Sequence, residues 1–152
     1  MTKAKVQYIS PLSYNQKILL FHHLSTNEDS GIIQVKCTIE GKINKDAFKK
    51  AWAAVTKQYD VLRTSIQWEN LSKQLQVVQQ HAELEIDWID LESENKPIDR
   101  LKNHELNDRE KSFSLSKAPV SRVTIFQHNE THYQFLWTCH HILLDGWSSR
   151  LI

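Results

Sequence analysis

The 152 residues carry 19 Lys and Arg against 18 Asp and Glu, a formal charge of +1, and 40% hydrophobic side chains. That length allows a real core, and no basic patch interleaved with aromatics supports nucleic-acid binding. Cys37 and Cys139 are the only two cysteines, each in a strand-like run, which argues against a disulfide scaffold and for a reducing compartment. No apolar run reaches membrane-spanning length. Met1–Lys5 leads into Val6–Ile9 without a signal-peptide apolar core, so a cytoplasmic protein without membrane attachment is expected.

In chain order, Val6–Ile9 reads as a short strand. A helix follows from an N-cap at Ser13 to about Leu24, and Ser25–Ser30 reads as polar loop. From Gly31 to Glu40, Ile33, Val35, Cys37 and Ile39 alternate with polar side chains, the pattern of a half-buried strand. Asn44 caps a helix to about Gln58, with an apolar stripe of Ala47, Phe48, Ala51, Trp52 and Val55 that predicts core packing. Thr64–Trp68 and Gln74–Gln79 predict a hairpin across Glu69–Lys73, and Glu83–Asp90 another extended run. Pro97 opens a polar helix to about Lys111, whose charges, Asp108 among them, read as a solvated face. Val120–Gln127 and Thr131–Cys139 predict a second hairpin around His128–Glu130. In its last strand Tyr133, Phe135, Trp137 and Cys139 share one face; Gln134, Leu136, Thr138 and His140 share the other. No linker rich in Gly, Pro or Ser divides the chain. The pattern predicts one α+β domain.

The segment Cys139-His140-His141-Ile142-Leu143-Leu144-Asp145-Gly146-Trp147-Ser148 carries the chemistry. Imidazole is suited to proton transfer near neutral pH. Adjacent strand residues point to opposite faces, so one of His140 and His141 is expected to act and the other to pack. Asp145 could orient an imidazole or meet a cation. Gly146, one of only three glycines, suggests an unusual φ or a close backbone approach. Trp147–Ile152 reads as the start of a helix with Asp145 or Gly146 near its N-cap. A metal site at His141 and Asp145 is disfavoured, because no third ligand stands at a recognisable spacing.

This segment resembles the His-His-x-x-x-Asp-Gly signature of the condensation domains of nonribosomal peptide synthetases. Pro11-Leu12-Ser13-Tyr14-Asn15-Gln16, running on to Leu24, resembles that family's N-terminal motif, Pro-Leu-Ser-x-x-Gln before an apolar helix. Tyr59-Asp60-Val61-Leu62-Arg63-Thr64-Ser65-Ile66 resembles the second motif, with Tyr59-Asp60 where Arg-His is common and Ile66 where Phe is common. Phe113-x-Leu115 and Ala118-Pro119-Val120-x-Arg122 resemble the stretch before the catalytic strand.

The resemblance implies a chloramphenicol-acetyltransferase-like lobe, a mixed β-sheet with packed helices, in which two lobes meet at a cleft. It makes residues 1–152 the N-terminal lobe, with the C-terminal lobe outside this chain and the lobe alone expected to be inactive. It implies peptide-bond formation: an aminoacyl amine attacks a donor acyl or peptidyl thioester, both carried on phosphopantetheine arms of carrier proteins. No directly bound cofactor is implied, and the partners are donor and acceptor carrier proteins, the second lobe and an adjoining adenylation domain. The expected site is His141 as the acting histidine, with His140, Asp145 and Gly146. Asp145 is expected to form a structural ion pair with Arg63, and Gly146 to let backbone lie close to the pantetheine arm. Asp-Gly followed by Trp147-Ser148 resembles condensation rather than heterocyclisation or epimerisation domains. A stand-alone coenzyme A-dependent acyltransferase of the same superfamily and a non-catalytic isolated lobe are the alternatives.

Overall fold

The computed structural model describes residues 5–25 and 31–152. Apart from Ser25, the expected polar loop lies outside the described residues.

Local signals set the elements. Strand β1 (Val6–Pro11) leads into helix α1 (Tyr14–Ser25). The helix opens on a reciprocal cap: Gln16 N–H donates to Ser13 Oγ (3.2 Å) and Ser13 N–H donates to Gln16 Oε1 (2.9 Å), which satisfies two donors that a helix start otherwise leaves open. Strand β2 (Ile32–Glu40) ends at Gly41, whose φ of 106° is a conformation that side-chain-bearing residues avoid. Helix α2 (Lys45–Gln58) begins at Asn44, whose side chain accepts from Ala47 N–H (3.0 Å). A single 3₁₀ turn, Asp60–Arg63, joins α2 to β3 (Thr64–Gln67), which pairs antiparallel with β4 (Leu75–Gln79). Then come β5 (Ile86–Asp90), helix α3 (Pro97–Glu110), and the hairpin of β6 (Ser121–Asn129) and β7 (His132–His140).

The expected mixed sheet is divided in two. One sheet has the order β1-β4-β3; the other has β2-β7-β6-β5, antiparallel except for the parallel pair β5 and β6. The larger sheet buries both faces, and β7 divides its side chains between them. Tyr133, Trp137 and Cys139 join a cluster with Leu62, Val123, Ile125 and Leu144, against which Phe48, Trp52 and Val55 of α2 pack. Ala47 and Ala51 stay exposed at the edge of that stripe. On the opposite face Leu136 and Phe126 pack with Leu91 and with Leu101 of α3.

The charges of α3 are not all solvated. Asp108 is 7% exposed. Its carboxylate accepts from Arg122 Nε (2.5 Å), Thr138 Oγ1 (2.5 Å) and Gln34 Nε2 (3.0 Å). Gln34, Thr138 and Arg122 are direct cross-strand neighbours on β2, β7 and β6, so one carboxylate clamps α3 onto three strands. Burial opposes the charge, but the hydrogen bonds from Arg122, Thr138 and Gln34 outweigh it and hold the carboxyl below its ordinary range.

Candidate active site

The two histidines part at the end of β7. His140 is the last strand residue and is 1% exposed; His141 is exposed. The expectation that one histidine packs and the other does not is met, but alternation alone would set His141 with buried Tyr133, Trp137 and Cys139; it is exposed because the chain leaves the strand after His140.

His140 is fixed behind the site. Its Nδ1 accepts from Ile142 N–H (3.0 Å), and its ring meets that of His23 edge-on at 5.4 Å between centroids. It also lies directly over Gly31: a Cβ placed there would stand 2.4 Å from His140 Cε1 and 2.5 Å from Nε2. Within the chain, the close approach to a glycine backbone is made at Gly31. Gly146 has no left-handed φ, and nothing among the described residues lies within 4 Å of where its side chain would begin. It sits in the loop on open ground.

His141 is held at both ends. Its backbone N–H donates to the Gly31 carbonyl (2.7 Å), which continues the β2–β7 pairing by one bond beyond the strands. Its Nδ1 lies 2.8 Å from the Leu144 carbonyl oxygen. A carbonyl only accepts, so Nδ1 carries the proton and Nε2 is the basic nitrogen of the neutral ring. The loop between these anchors is short and apolar: Ile142 and Leu144 are 2% exposed and drive it onto two separate cores.

A cavity of about 510 Å³ lies over this loop, lined by His141, Ile142, Leu143, Asp145 and Ser148 and by the first turns of α1 from Ser13 to Leu19. Asp145 closes the loop. Its Oδ1 accepts from the backbone N–H of Trp147 (3.0 Å) and Ser148 (2.7 Å) and from the Ser148 hydroxyl. Those bonds, chiefly the Ser148 hydroxyl, hold its carboxyl below the ordinary range. The residues that follow form one 3₁₀ turn, Ser148–Leu151, rather than an α-helix, tied to the end of α2 by Tyr59 Oη donating to the Leu151 carbonyl (2.8 Å).

The expected Arg63–Asp145 ion pair is not made. Arg63 is 4% exposed and spends its donors nearby: on the carbonyls of Thr56 (3.0 Å), Lys57 (3.3 Å) and Gln79, on Gln7 Oε1 (2.8 Å), and on the Asp60 carboxylate. The physical reason is local. Asp60 stands on the same 3₁₀ turn as Arg63, so it meets the guanidinium at little cost in order, while Asp145 is exposed and occupied by its own turn. Among the described residues no three His, Cys, Asp or Glu side chains converge as a metal site would require.

Two contributors escaped the reading of the motif. Gly31 had no signal beyond being a scarce glycine at a strand start. Gln16 was legible as part of Ser-x-x-Gln, but its reach across the fold was not: its Nε2 donates to the Ile142 carbonyl in the histidine loop (3.2 Å).

The chain matches the Condensation domain family over residues 6–152. It is 33% identical over 154 residues to Tyrocidine synthase 2 of Brevibacillus parabrevis, covering 99% of this chain and 4% of that protein. It is 32% identical over 153 residues to Gramicidin S synthase 2 of Brevibacillus brevis, covering 99% of this chain and 3% of that protein. Among solved structures, its fold matches a four-domain nonribosomal peptide synthetase with a TM-score of 0.87 at 19% identity, over 99% of this chain and 11% of that one. It matches the starter condensation domain of rhizomide synthetase with a TM-score of 0.84 at 21% identity, over 95% of this chain and 36% of that one. The chain thus spans a small part of the proteins it matches. With its histidine loop built as described and the match running from β1 to the final residue, the chain belongs to the condensation domain family of nonribosomal peptide synthetases.

Proposed function

We propose that this chain supplies the histidine side of a peptide-bond-forming site. The observation that carries the reading is the fixed tautomer of His141. With Nδ1 donating to the Leu144 carbonyl, Nε2 is left as the proton acceptor in a ring that lines an open cavity. An acceptor aminoacyl amine attacks the carbonyl carbon of a donor thioester; the C–N bond forms and the C–S bond breaks. His141 Nε2 takes the amine proton or positions the amine by a hydrogen bond, and the departing thiolate ends as a thiol on the donor arm. Both substrates arrive on phosphopantetheine arms of carrier proteins, with an adenylation domain loading the acceptor. The open ground at Gly146 leaves room for such an arm beside the loop.

A second lobe completes the site. Tyr14 (78% exposed) and Phe21 on α1 and Trp147 (81% exposed) beside the histidine loop are large aromatic side chains left exposed, which suits surfaces that pack against another body. The reaction gains much of its rate from holding two tethered substrates in line, which one lobe cannot do. A cytoplasmic setting fits the two free thiols. Among the described residues no helix is long and apolar enough to cross a membrane.

The test is product formation by the complete enzyme with loaded donor and acceptor carriers. His141→Ala is expected to lose about 100- to 10,000-fold in rate, the span of general acid–base catalysis. His140→Ala keeps more activity than His141→Ala, because His140 shapes the loop without lining the cavity. Wild-type turnover by the His141 variant refutes the assignment.

A further inference from the structure

We infer that Gln16 is a positioning residue for His141, acting through the loop carbonyl of Ile142. The inference rests on the reading of His141 as the acting histidine and adds a residue to which that reading gives no role.

The amide of Gln16 is used at both ends, and its orientation is fixed by its partners. Ser13 N–H can only donate, so the atom facing it at 2.9 Å is Oε1; the Ile142 carbonyl can only accept, so the atom facing it at 3.2 Å is Nε2. Nε2 also faces Gln76 Oε1 on β4 at 3.3 Å. One side chain thus starts α1, touches the smaller sheet and grips the histidine loop next to His141.

The grip falls on a peptide held at its other end by the loop itself: the Leu143 N–H donates to the His140 carbonyl (3.1 Å), and Gln16 takes the Ile142 carbonyl of the same peptide (3.2 Å). His141 is anchored through its N–H to Gly31, and Ile142 through its N–H to the His140 ring. The Ile142 carbonyl sits between those anchors and Leu144, whose own carbonyl sets the His141 ring. Were the Ile142 peptide to turn, the Leu144 carbonyl and the imidazole would shift with it. Donation from Gln16 opposes that rotation. Gln16 also lines the cavity beside His141.

The two duties of Gln16 can be separated by one substitution. Glutamate serves a helix-start cap as well as glutamine does, because it too accepts the Ser N–H, and its charge suits a helix N-terminus. It cannot donate to the Ile142 carbonyl. Gln16→Glu therefore keeps the cap and removes the grip, whereas Gln16→Ala removes both.

In the complete enzyme, Gln16→Glu is expected to lose less melting temperature than Gln16→Ala, because it keeps the cap, while its kcat falls about 10- to 100-fold, the range in which residues that orient a reacting group act. The loss is expected in kcat with little change in KM, the split that separates a displaced imidazole from a weakened substrate site. Wild-type kcat in Gln16→Glu would overturn the inference. So would equal losses of melting temperature in Gln16→Glu and Gln16→Ala, which would reduce Gln16 to a helix cap. His141→Ala run beside them keeps the two ideas apart: if that variant turns over normally the histidine assignment fails, whatever Gln16 does.

Discussion

Removing Arg63 tests where its charge is balanced. The side chain is 5% exposed and grips three backbone carbonyls, Gln7 and Asp60. Arg63→Met keeps most of the apolar stem and deletes every donor. A buried acceptor left without its partner costs about 1–3 kcal/mol. Local relaxation and water recover part of that, so the three carbonyls together lose about 3 kcal/mol. The carboxylate of Asp60 is 41% exposed, so its pairing is discounted to at most about 1 kcal/mol. A loss of about 4 kcal/mol is expected, or roughly 10 °C in melting temperature for a chain of this size. Urea unfolding of Arg63→Met, Asp60→Asn, Asp145→Asn and the two Arg63 double variants measures it. The Arg63/Asp60 cycle should show coupling of about 0.5–1 kcal/mol, and the Arg63/Asp145 cycle should close additively. Coupling confined to Arg63/Asp145 would refute this assignment and restore the pair that the motifs suggest.

Two further outcomes follow from buried groups. Gly31→Ala places a Cβ against the His140 ring and should cost about 1–3 kcal/mol by overpacking; His140→Ala in the same chain should recover most of it, and additive losses would show that the ring is not what the Cβ meets. Asp108→Asn leaves Arg122 without its anion and should cost about 3 kcal/mol near neutral pH. The Asp108 carboxyl is held below its ordinary range, so its stabilisation is complete above that range and disappears as pH falls through the lowered folded value. The gap between wild type and variant in urea should therefore narrow in acid; a gap of constant size from neutrality to acid would count against the clamp.

Much of the scaffold was legible because its signals are local. Asn44 and Ser13 cap helices by contacts within a turn, and the alternation along β7 separated Tyr133, Trp137 and Cys139 from Leu136 correctly. What escaped the sequence is what distance decides. Nothing in Ile86–Asp90 says that it pairs parallel to β6, and nothing in β1 says that it joins β4 in a separate sheet. Asp108 looked like one more surface charge because its partners lie 14, 30 and 74 residues away. Arg63 was assigned to the wrong carboxylate for the opposite reason: a family pattern pointed far along the chain while Asp60 stood three residues away. At the site, the placement of the side chains was only half readable. A glycine in a motif attracts attention, yet Gly31, outside the motif, is where an embedded ring leaves no space.

The histidine loop shows why the site depends on nearly the whole fold. Its anchors come from the start of β2 through the Gly31 carbonyl, from α1 through Gln16, and from its own Leu144 carbonyl. Gln16 and Ile142 are 126 residues apart in sequence. A loop closed only by its own bonds would fluctuate, and an imidazole that must order itself when substrate arrives loses the advantage of preorganisation. Here the ordering is complete once the sheets and α1 have packed. The consequence runs in both directions. A change that loosens α1 or the start of β2 should reach the chemistry without touching a reacting atom. Conversely, on the reading of His141 as the acting histidine, the cavity beside the ring can stay open, because apart from Gln16 the bonds that hold the ring come from β2 and from the loop itself.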